Sequence, residues 1–544
     1  MPTITASYED LCNLLGKRIE IEKLRDRLSM IGLDAEVDGS SLNIEVFHNR
    51  PDLLSPEGVA RALKGFLGIE TGLPRYSLAG SPITIDVDAS VAPIRPYIVA
   101  GTVGDVKLTY DIVASLMQIQ EKLHATLCRN RRKASIGVYD LDKATPPIKY
   151  TTVAPDGMKF VPLESSRELT PAQILQEHPK GIEYSWLLKD LPRYPILMDS
   201  KGTVLSMPPI INSEDTKVTD QTRNLFIDVT GLDERVVNQA LTILVTALSE
   251  RGFKLGPVAV KYPKRRVKTP DLAPRKHRLS VEHANRAIGL KLRPAEMTRM
   301  AKRMRYGVGG TKGDLLTLLA PPYRVDIMHE IDLIEDVAIG YGYDRLEPSL
   351  PKVITIGERA PIEKLSDKAR RALAGLGFTE AMNYILTNPQ KELELMKVKE
   401  DVAEIANPVS EEYTILRNSL LPSLLTTLHQ NRRNPLPQRI FEVGDVVVLD
   451  AEAETGARNV RKTAGVIIGE GAGFTQIKGV IEALLRELGM KLELGTTWNA
   501  SFLDGRVVEI SSGGKRIGMT GEIHPEVLLG FELEHPVAAF EIEL

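Results

Sequence analysis

The sequence predicts an α+β chain built from several domains, and three observations carry that expectation. Breaks rich in proline, glycine and charge near 73–82, 261–274 and 347–351 divide the 544 residues into about four blocks, 1–75, 82–262, 275–347 and 352–544. The first and third blocks repeat one helix–strand–helix order. The last block mixes apolar strands with helices closed by glycine, the pattern of an antiparallel sheet flanked by helices.

In block one, Ile21, Leu24, Leu28 and Ile31 fall on one helical face and Gly32 follows as a stop. Leu42–Val46 alternates like a half-buried strand, and Val59, Ala62 and Leu63 mark a second helix. Block three answers with Pro294 at a first helical position and Met297, Met300, Ala301 and Met304 at helical spacing, with Gly307 as the stop. A strand follows at Leu315–Leu319, then a helix through Val337 and Ala338. Arg50-x-Asp52 is matched by Arg324-x-Asp326, so the two blocks read as copies of one module. Block two is mixed α+β with one clear helix, Glu234–Arg251. Block four opens with a helix at Ile362–Leu376, then strands Ile440–Val443 and Asp445–Leu449, then a helix at Ile477–Leu488.

Lys and Arg number 69 against 72 Asp and Glu, a net charge of -3, so nucleic acid cannot be held by bulk positive charge, only by local patches. One such run is Arg129-Asn-Arg-Arg-Lys133, readable as a phosphate contact or as a solvated turn; Lys264-Arg265-Arg266 reads as a solvated linker. No apolar run approaches the ~20 residues that span a bilayer. The first residues lack the pattern of a secretory signal, and two cysteines, Cys12 and Cys128, suit a reducing, cytoplasmic setting.

The run Asn49-Arg-Pro-Asp-Leu-Leu-Ser-Pro-Glu-Gly-Val-Ala-Arg-Ala-Leu63 resembles the first domain of phenylalanyl-tRNA synthetase β subunits. Pro321–Tyr343, Asn407–Pro422, Gln438–Asp445 and Gly521–Glu526 with Pro536–Glu541 are similar to later segments of the same family, in the same order. The overall form resembles the archaeal and eukaryotic type. The resemblance implies a class II synthetase assembled as an α2β2 heterotetramer, in which the α subunit activates phenylalanine with ATP and charges tRNA(Phe). The β subunit would contribute a degenerate synthetase-like domain (352–544), an editing domain (82–262) and a nucleic-acid-binding-like domain (275–347). Residues 352–544 contain no Gly-x-Gly-x-x-x-Arg, the pattern that places a cation near the ATP γ-phosphate, so block four is expected to be scaffold and interface.

Asp332, Glu335 and Asp336 project from one helical face and Asp326 precedes them; such a cluster suits either the helix dipole or Mg²⁺. The resemblance assigns these four to a Mg²⁺ shared with the α subunit. For editing, a loop dense in small polar residues, 207–219, and the strand-like 222–231 offer Glu214, Asn212, Asp228 and Thr230. A pocket must bond the extra oxygen of tyrosine and position water at the ester, because an apolar pocket rejects an added hydroxyl only roughly 10²-fold. Glu214-x-Thr216 aligns loosely with the bacterial editing domain, and an ionised Glu214 is the expected phenol acceptor. Two rival readings stay open: a tRNA-binding scaffold whose editing block has decayed, and a stand-alone Mg²⁺-dependent hydrolase.

Overall fold

The structure is a computed structural model, and it describes residues 1–350 and 355–544. The chain forms two compact units, Met1–Ser349 and Leu350–Leu544.

The first unit begins with β1 (Thr3–Ser7), α1 (Tyr8–Leu15), α2 (Ile21–Met30), β2 (Asp34–Asp38), β3 (Ser41–Glu45) and α3 (Pro56–Phe66). The strands make an antiparallel sheet in the order β1-β3-β2. Leu24 and Leu28 of α2 are fully buried, and Gly32 takes φ 81°, the left-handed conformation that ends a helix cheaply only at glycine. Ser55 caps α3 by accepting from the Gly58 N–H, and Pro56 occupies the first turn, where its missing N–H costs nothing.

Next come β4 (Ile83–Val87), β5 (Tyr97–Gly104), α4 (Tyr110–Ala125), β6 (Ala134–Asp140), β7 (Ile148–Val153), α5 (Pro171–Glu177) and α6 (Pro179–Tyr184). They continue through β8 (Tyr194–Met198), β9 (Val204–Met207), β10 (Ile211–Asn212), β11 (Leu225–Gly231), α7 (Glu234–Ser249), β12 (Lys254–Lys261) and β13 (Arg266–Thr269). These strands form one ten-stranded mixed sheet, ordered β10-β9-β8-β7-β4-β12-β5-β11-β6 with β13 on β12. The 261–274 stretch, expected to be a break, therefore carries a strand of the sheet. Arg265 within it is no free cation: it pairs with Glu234 at 2.5 Å and lies 4.9 Å from the Tyr262 ring centre. Helix α7 covers β5, β11 and β6, burying the apolar face through Val237, Leu241, Leu244 and Leu248.

The unit closes with β14 (Arg275–Ser280), α8 (Val281–Ile288), α9 (Pro294–Arg303), β15 (Gly307–Lys312), β16 (Leu315–Ala320) and α10 (Glu330–Tyr341), the sheet running β14-β16-β15. Its element order and strand order are those of residues 1–66. Gly307 differs from expectation. It opens β15 against Leu73 and Leu319, where a Cβ would be tight, and the left-handed position after α9 falls to Arg305 at φ 69°. The first and last modules touch. Arg61 lies 3.4 Å from the Tyr323 ring centre, Arg303 donates to the Phe66 carbonyl at 2.6 Å, and Arg305 pairs with Glu70 at 2.7 Å. From α7's end, Arg251 reaches Asp10 at 2.7 Å and Glu57 at 2.6 Å, and Ser115 donates to Glu57.

The second unit contains α11 (Pro361–Gly375), β17 (Thr379–Glu380), β18 (Leu386–Thr387), β19 (Ile415–Leu416), α12 (Leu421–Gln430), β20 (Gln438–Leu449) and β21 (Ala457–Ile468). It ends with α13 (Phe474–Leu488), β22 (Glu493–Thr496), β23 (Phe502–Ser512), β24 (Lys515–Ile523), α14 (Pro525–Gly530) and β25 (Val537–Glu543). Its seven-stranded sheet runs β17-β20-β21-β25-β24-β23-β22, antiparallel except for the short β17–β20 pair. The two strands expected at 440–449 are one, because Gly444 stays in the ladder opposite Lys462. Helices α11 and α13 pack their apolar stripes together over one face of the sheet.

Candidate functional site

A cavity of about 230 Å³ opens between α4, β6, β11 and the 206–212 segment. Its closed end is polar. Asp228 on β11 sits opposite Gly137 on β6, and because side chains repeat every second residue, Tyr139 shares that face. Tyr139 Oη donates to Asp228 Oδ1 at 2.5 Å and lies 2.8 Å from Ser206 Oγ. Asp228 is 1 % exposed, and burial pushes its carboxyl up to about 7 against the pull of the Tyr139 hydrogen bond. Gly137 is required here, since any Cβ would overlap Tyr139 Oη and Asp228 Oδ1.

The open end is built from α4 and the turn after it. His124 accepts from the Ile136 N–H at its Nε2, 2.9 Å, which leaves the ring proton on Nδ1; burial lowers its pKa and keeps it neutral. Its Nδ1 faces Glu121 Oε1 at 3.7 Å, one turn back along the helix. Arg129, Asn130 and Arg131 all have positive φ, at 52°, 50° and 63°. This costs of order 1–2 kcal/mol per residue. The turn carries Arg131 under the cavity, where it donates to the Ile210 carbonyl at 2.9 Å, lies 4.1 Å from the Tyr184 ring centre and sits 3.3 Å from Glu121. The His124 imidazole above all, then Arg131, holds the Glu121 carboxyl down at about 2.

Of the residues expected from sequence, Asn212 and Asp228 line this cavity, Asn212 donating to the Val138 carbonyl at 3.1 Å. Thr230 is buried beneath it, its hydroxyl taken by Arg95 at 2.9 Å and by Ser135. Glu214 does not line it; its carboxylate accepts from Lys217 at 3.0 Å and from the Glu164 N–H at 2.9 Å. Tyr139, Ser206, His124 and Glu121 are the residues sequence reasoning missed, and Arg131 was noticed only as part of the basic run 129–133. The first four stand apart from any motif, and β6 offers only the weak signal of a polar side chain alternating with glycine.

Most carboxylates of the acidic helix are held by donors of the chain itself. Arg324 takes Asp326 at 2.7 Å and Asp336 at 2.6 Å, and Tyr306 also donates to Asp336. Against the cost of burial, that guanidinium holds the Asp326 carboxyl down at about 2. Asp332 caps α10, accepting from the Met328 and His329 N–H groups. Glu335 has neither a cation nor a backbone donor, and burial, then Asp336 and Asp332, raises its pKa. Among the described residues no three His, Cys, Asp or Glu side chains converge as a metal needs. Asp326, Glu335 and Asp336 line one cavity with Arg324.

In the second unit, Arg417 is buried against Glu442 at 2.8 Å, and Asn383 donates to the same carboxylate. Glu541 accepts from Lys462 and from the Leu420 N–H. Glu392 accepts from the Asn418 and Ser419 N–H groups through one oxygen; the other is buried without a partner, and burial, with Glu541 adding, raises the carboxyl to about 7.

Three family models match: a B3/4 domain at 111–254, a tRNA synthetase B5 domain at 277–343, and the phenylalanyl-tRNA synthetase β chain CLM domain at 346–544. A curated relative from Archaeoglobus fulgidus, a phenylalanine–tRNA ligase β subunit, is 44 % identical over 100 % of this chain and 98 % of its own. The chain belongs to the phenylalanine–tRNA ligase β-subunit family. Another member, from Methanocaldococcus jannaschii, is 42 % identical over the full length of both chains. A solved member, the N-terminal fragment of the Pyrococcus horikoshii β subunit, superposes with a TM-score of 0.61 at 41 % identity, covering 62 % of this chain and 99 % of the fragment.

Proposed function

We propose that this chain works in the cytoplasm as the β subunit of an α2β2 phenylalanine–tRNA ligase, with phenylalanine and ATP bound by the α subunit, and that its cavity hydrolyses tyrosyl-tRNA(Phe). The residues 1–66 and 275–341 are copies of one module in this reading, supported by their common element and strand order. The second unit is scaffold: Arg417 and Lys462 are both spent on internal carboxylates, and 352–544 lacks the γ-phosphate arginine pattern. The Mg²⁺ expected of the synthetase would be held by Asp326, Asp332, Glu335 and Asp336 together with the α subunit, and it enters no step assigned to the cavity.

The observation that carries the editing reading is the buried Asp228–Tyr139–Ser206 cluster at the closed end of the cavity. A tyrosine phenol reaching it gives its proton to the carboxylate oxygen that Tyr139 leaves free. Phenylalanine would leave that carboxylate buried without this bond, a difference that such sites convert to as much as roughly 10⁴-fold rejection. The phenol acceptor is therefore Asp228, with Glu214 holding the Glu164 backbone at the rim. Ester cleavage needs water at the open end, where the cavity meets solvent.

The test is release of tyrosine from preformed tyrosyl-tRNA(Phe) by the chain co-expressed with its α partner. Release much faster than spontaneous hydrolysis is expected; release at the spontaneous rate would leave the decayed scaffold. The isolated chain should also show no phenylalanine-dependent pyrophosphate exchange, and exchange without α would refute the scaffold role of the second unit.

A further inference from the structure

An aminoacyl ester has given up its carboxylate, so the one charge beside its reacting carbon is the α-ammonium. Any cavity that cleaves such esters selectively must offer that cation a partner. Three carboxylates line this cavity. Asp228 lies at the closed end and is engaged with Tyr139. Glu164 is exposed on the rim. Glu121 stands at the open end, its side chain 55 % exposed and its position fixed on α4.

Glu121 is supported with unusual care for a half-exposed residue. His124 is locked as a neutral donor facing it, and Arg131 is clamped by a backbone carbonyl and an aromatic ring on a strained three-residue turn. Stability does not explain this, because an exposed ion pair contributes ~0–1 kcal/mol. The arrangement also leaves Arg131 Nε buried without a partner, and His124 Nδ1 without a hydrogen bond, its Glu121 neighbour standing at 3.7 Å. What the support does achieve is a carboxylate that stays ionised and aimed, with one oxygen, Oε1, toward its two supports. The surrounding charge suits a cation: Arg131 and Lys180 are answered by Glu121, Glu164 and Glu183, with Asp228 beyond.

We propose that Glu121 is the anchor for the substrate's α-ammonium, which makes the cavity selective for aminoacyl esters over N-acylated ones. The inference rests on the editing reading above. Asp228 and Glu121 then grip opposite ends of one amino acid, and the ester carbon lies next to the Glu121 end, where water enters.

The experiment compares tyrosyl-tRNA(Phe) with N-acetyl-tyrosyl-tRNA(Phe), both preformed, on the assembled α/β enzyme. The wild type is expected to prefer the free ammonium by about tenfold or more, the discrimination a charged hydrogen bond gives. Glu121→Gln should slow tyrosine release about 10- to 100-fold while N-acetyl-tyrosine release stays within twofold, so the preference collapses. Glu121→Asp, which keeps the charge, should recover part of it. An equal fall for both substrates would mean a structural role and overturn the proposal, as would an unchanged preference. Failure of the wild type to release either product would overturn the editing reading itself, and the anchor with it.

Discussion

Asp228→Asn is the most informative substitution in this chain. It keeps the shape of the side chain and an oxygen for Tyr139 but removes the charge. The bond at issue is short, 2.5 Å, and buried at the closed end of the cavity. Hydrogen bonds to charged groups contribute ~1.5–3 kcal/mol, and 1.4 kcal/mol is about tenfold, so tyrosine release should slow about 10- to 150-fold. The pH profile sharpens the test. With the carboxyl raised to about 7, the accepting carboxylate forms as pH rises, so the wild-type rate should climb through pH 7 and level off above it. The asparagine variant should be flat there. Stability moves the opposite way. A carboxyl that is harder to ionise when folded is most stabilising below its unfolded value near 3.8, and the contribution is lost as pH rises toward 7. Above pH 7 the variant should therefore unfold at a higher temperature than the wild type, by at most about 4 kcal/mol in free energy. Radiolabelled tyrosine release across pH 5.5–8.5 (roughly 1.5 units on each side of the midpoint), with thermal unfolding in the same buffers, measures both. A variant within twofold of wild type, or one that keeps the step near pH 7, refutes the assignment of Asp228.

Three further outcomes follow from the geometry. Gly137→Ala forces apart Tyr139 and Asp228, and should abolish tyrosine release in the deacylation assay while costing about 1–3 kcal/mol of stability by overpacking. Arg324→Met leaves Asp326 and Asp336 buried without their cation and should lower stability by about 3–5 kcal/mol, read as a drop in the denaturation midpoint of the first unit. Glu392→Gln keeps both backbone hydrogen bonds and removes a carboxyl raised to about 7 from its usual 4.5. Its stabilising effect should be absent below pH 4.5, grow as pH rises through 7 and reach at most about 3 kcal/mol at pH 8, checked by thermal unfolding at the two ends.

Much of the fold was legible because local physics decided it. Pro294 and the methionine spacing announce α9, and the paired Arg-x-Asp runs lie in two stretches whose strand orders match. Gly307 and Gly444 misled for one reason: glycine is chosen for a left-handed turn or for close approach within a strand, and sequence does not distinguish them. The site was half legible. Asn212 and Asp228 stand in segments with an obvious polar purpose. His124 and Glu121 lie in an amphipathic helix where a buried histidine reads as core, and only the pairing of β6 with β11 puts Tyr139 beside Asp228. Glu214 was singled out for its acidity, but a lysine three residues on already claims it.

The clasp between the first and last modules has a consequence for how the chain is made. Phe66 waits for Arg303, 237 residues later, and Glu57 for Arg251, 194 residues later. At ribosomal speeds of about 5–20 residues per second, those intervals are roughly 10–50 s. Throughout that time the nascent N-terminal module presents Glu57 and Arg61, charges meant for a dry interior, to solvent and to whatever binds emerging chains. Its completion is thus gated by translation of the whole intervening sheet, and slow codons placed between residues 66 and 251 would lengthen the exposure without altering a single side chain.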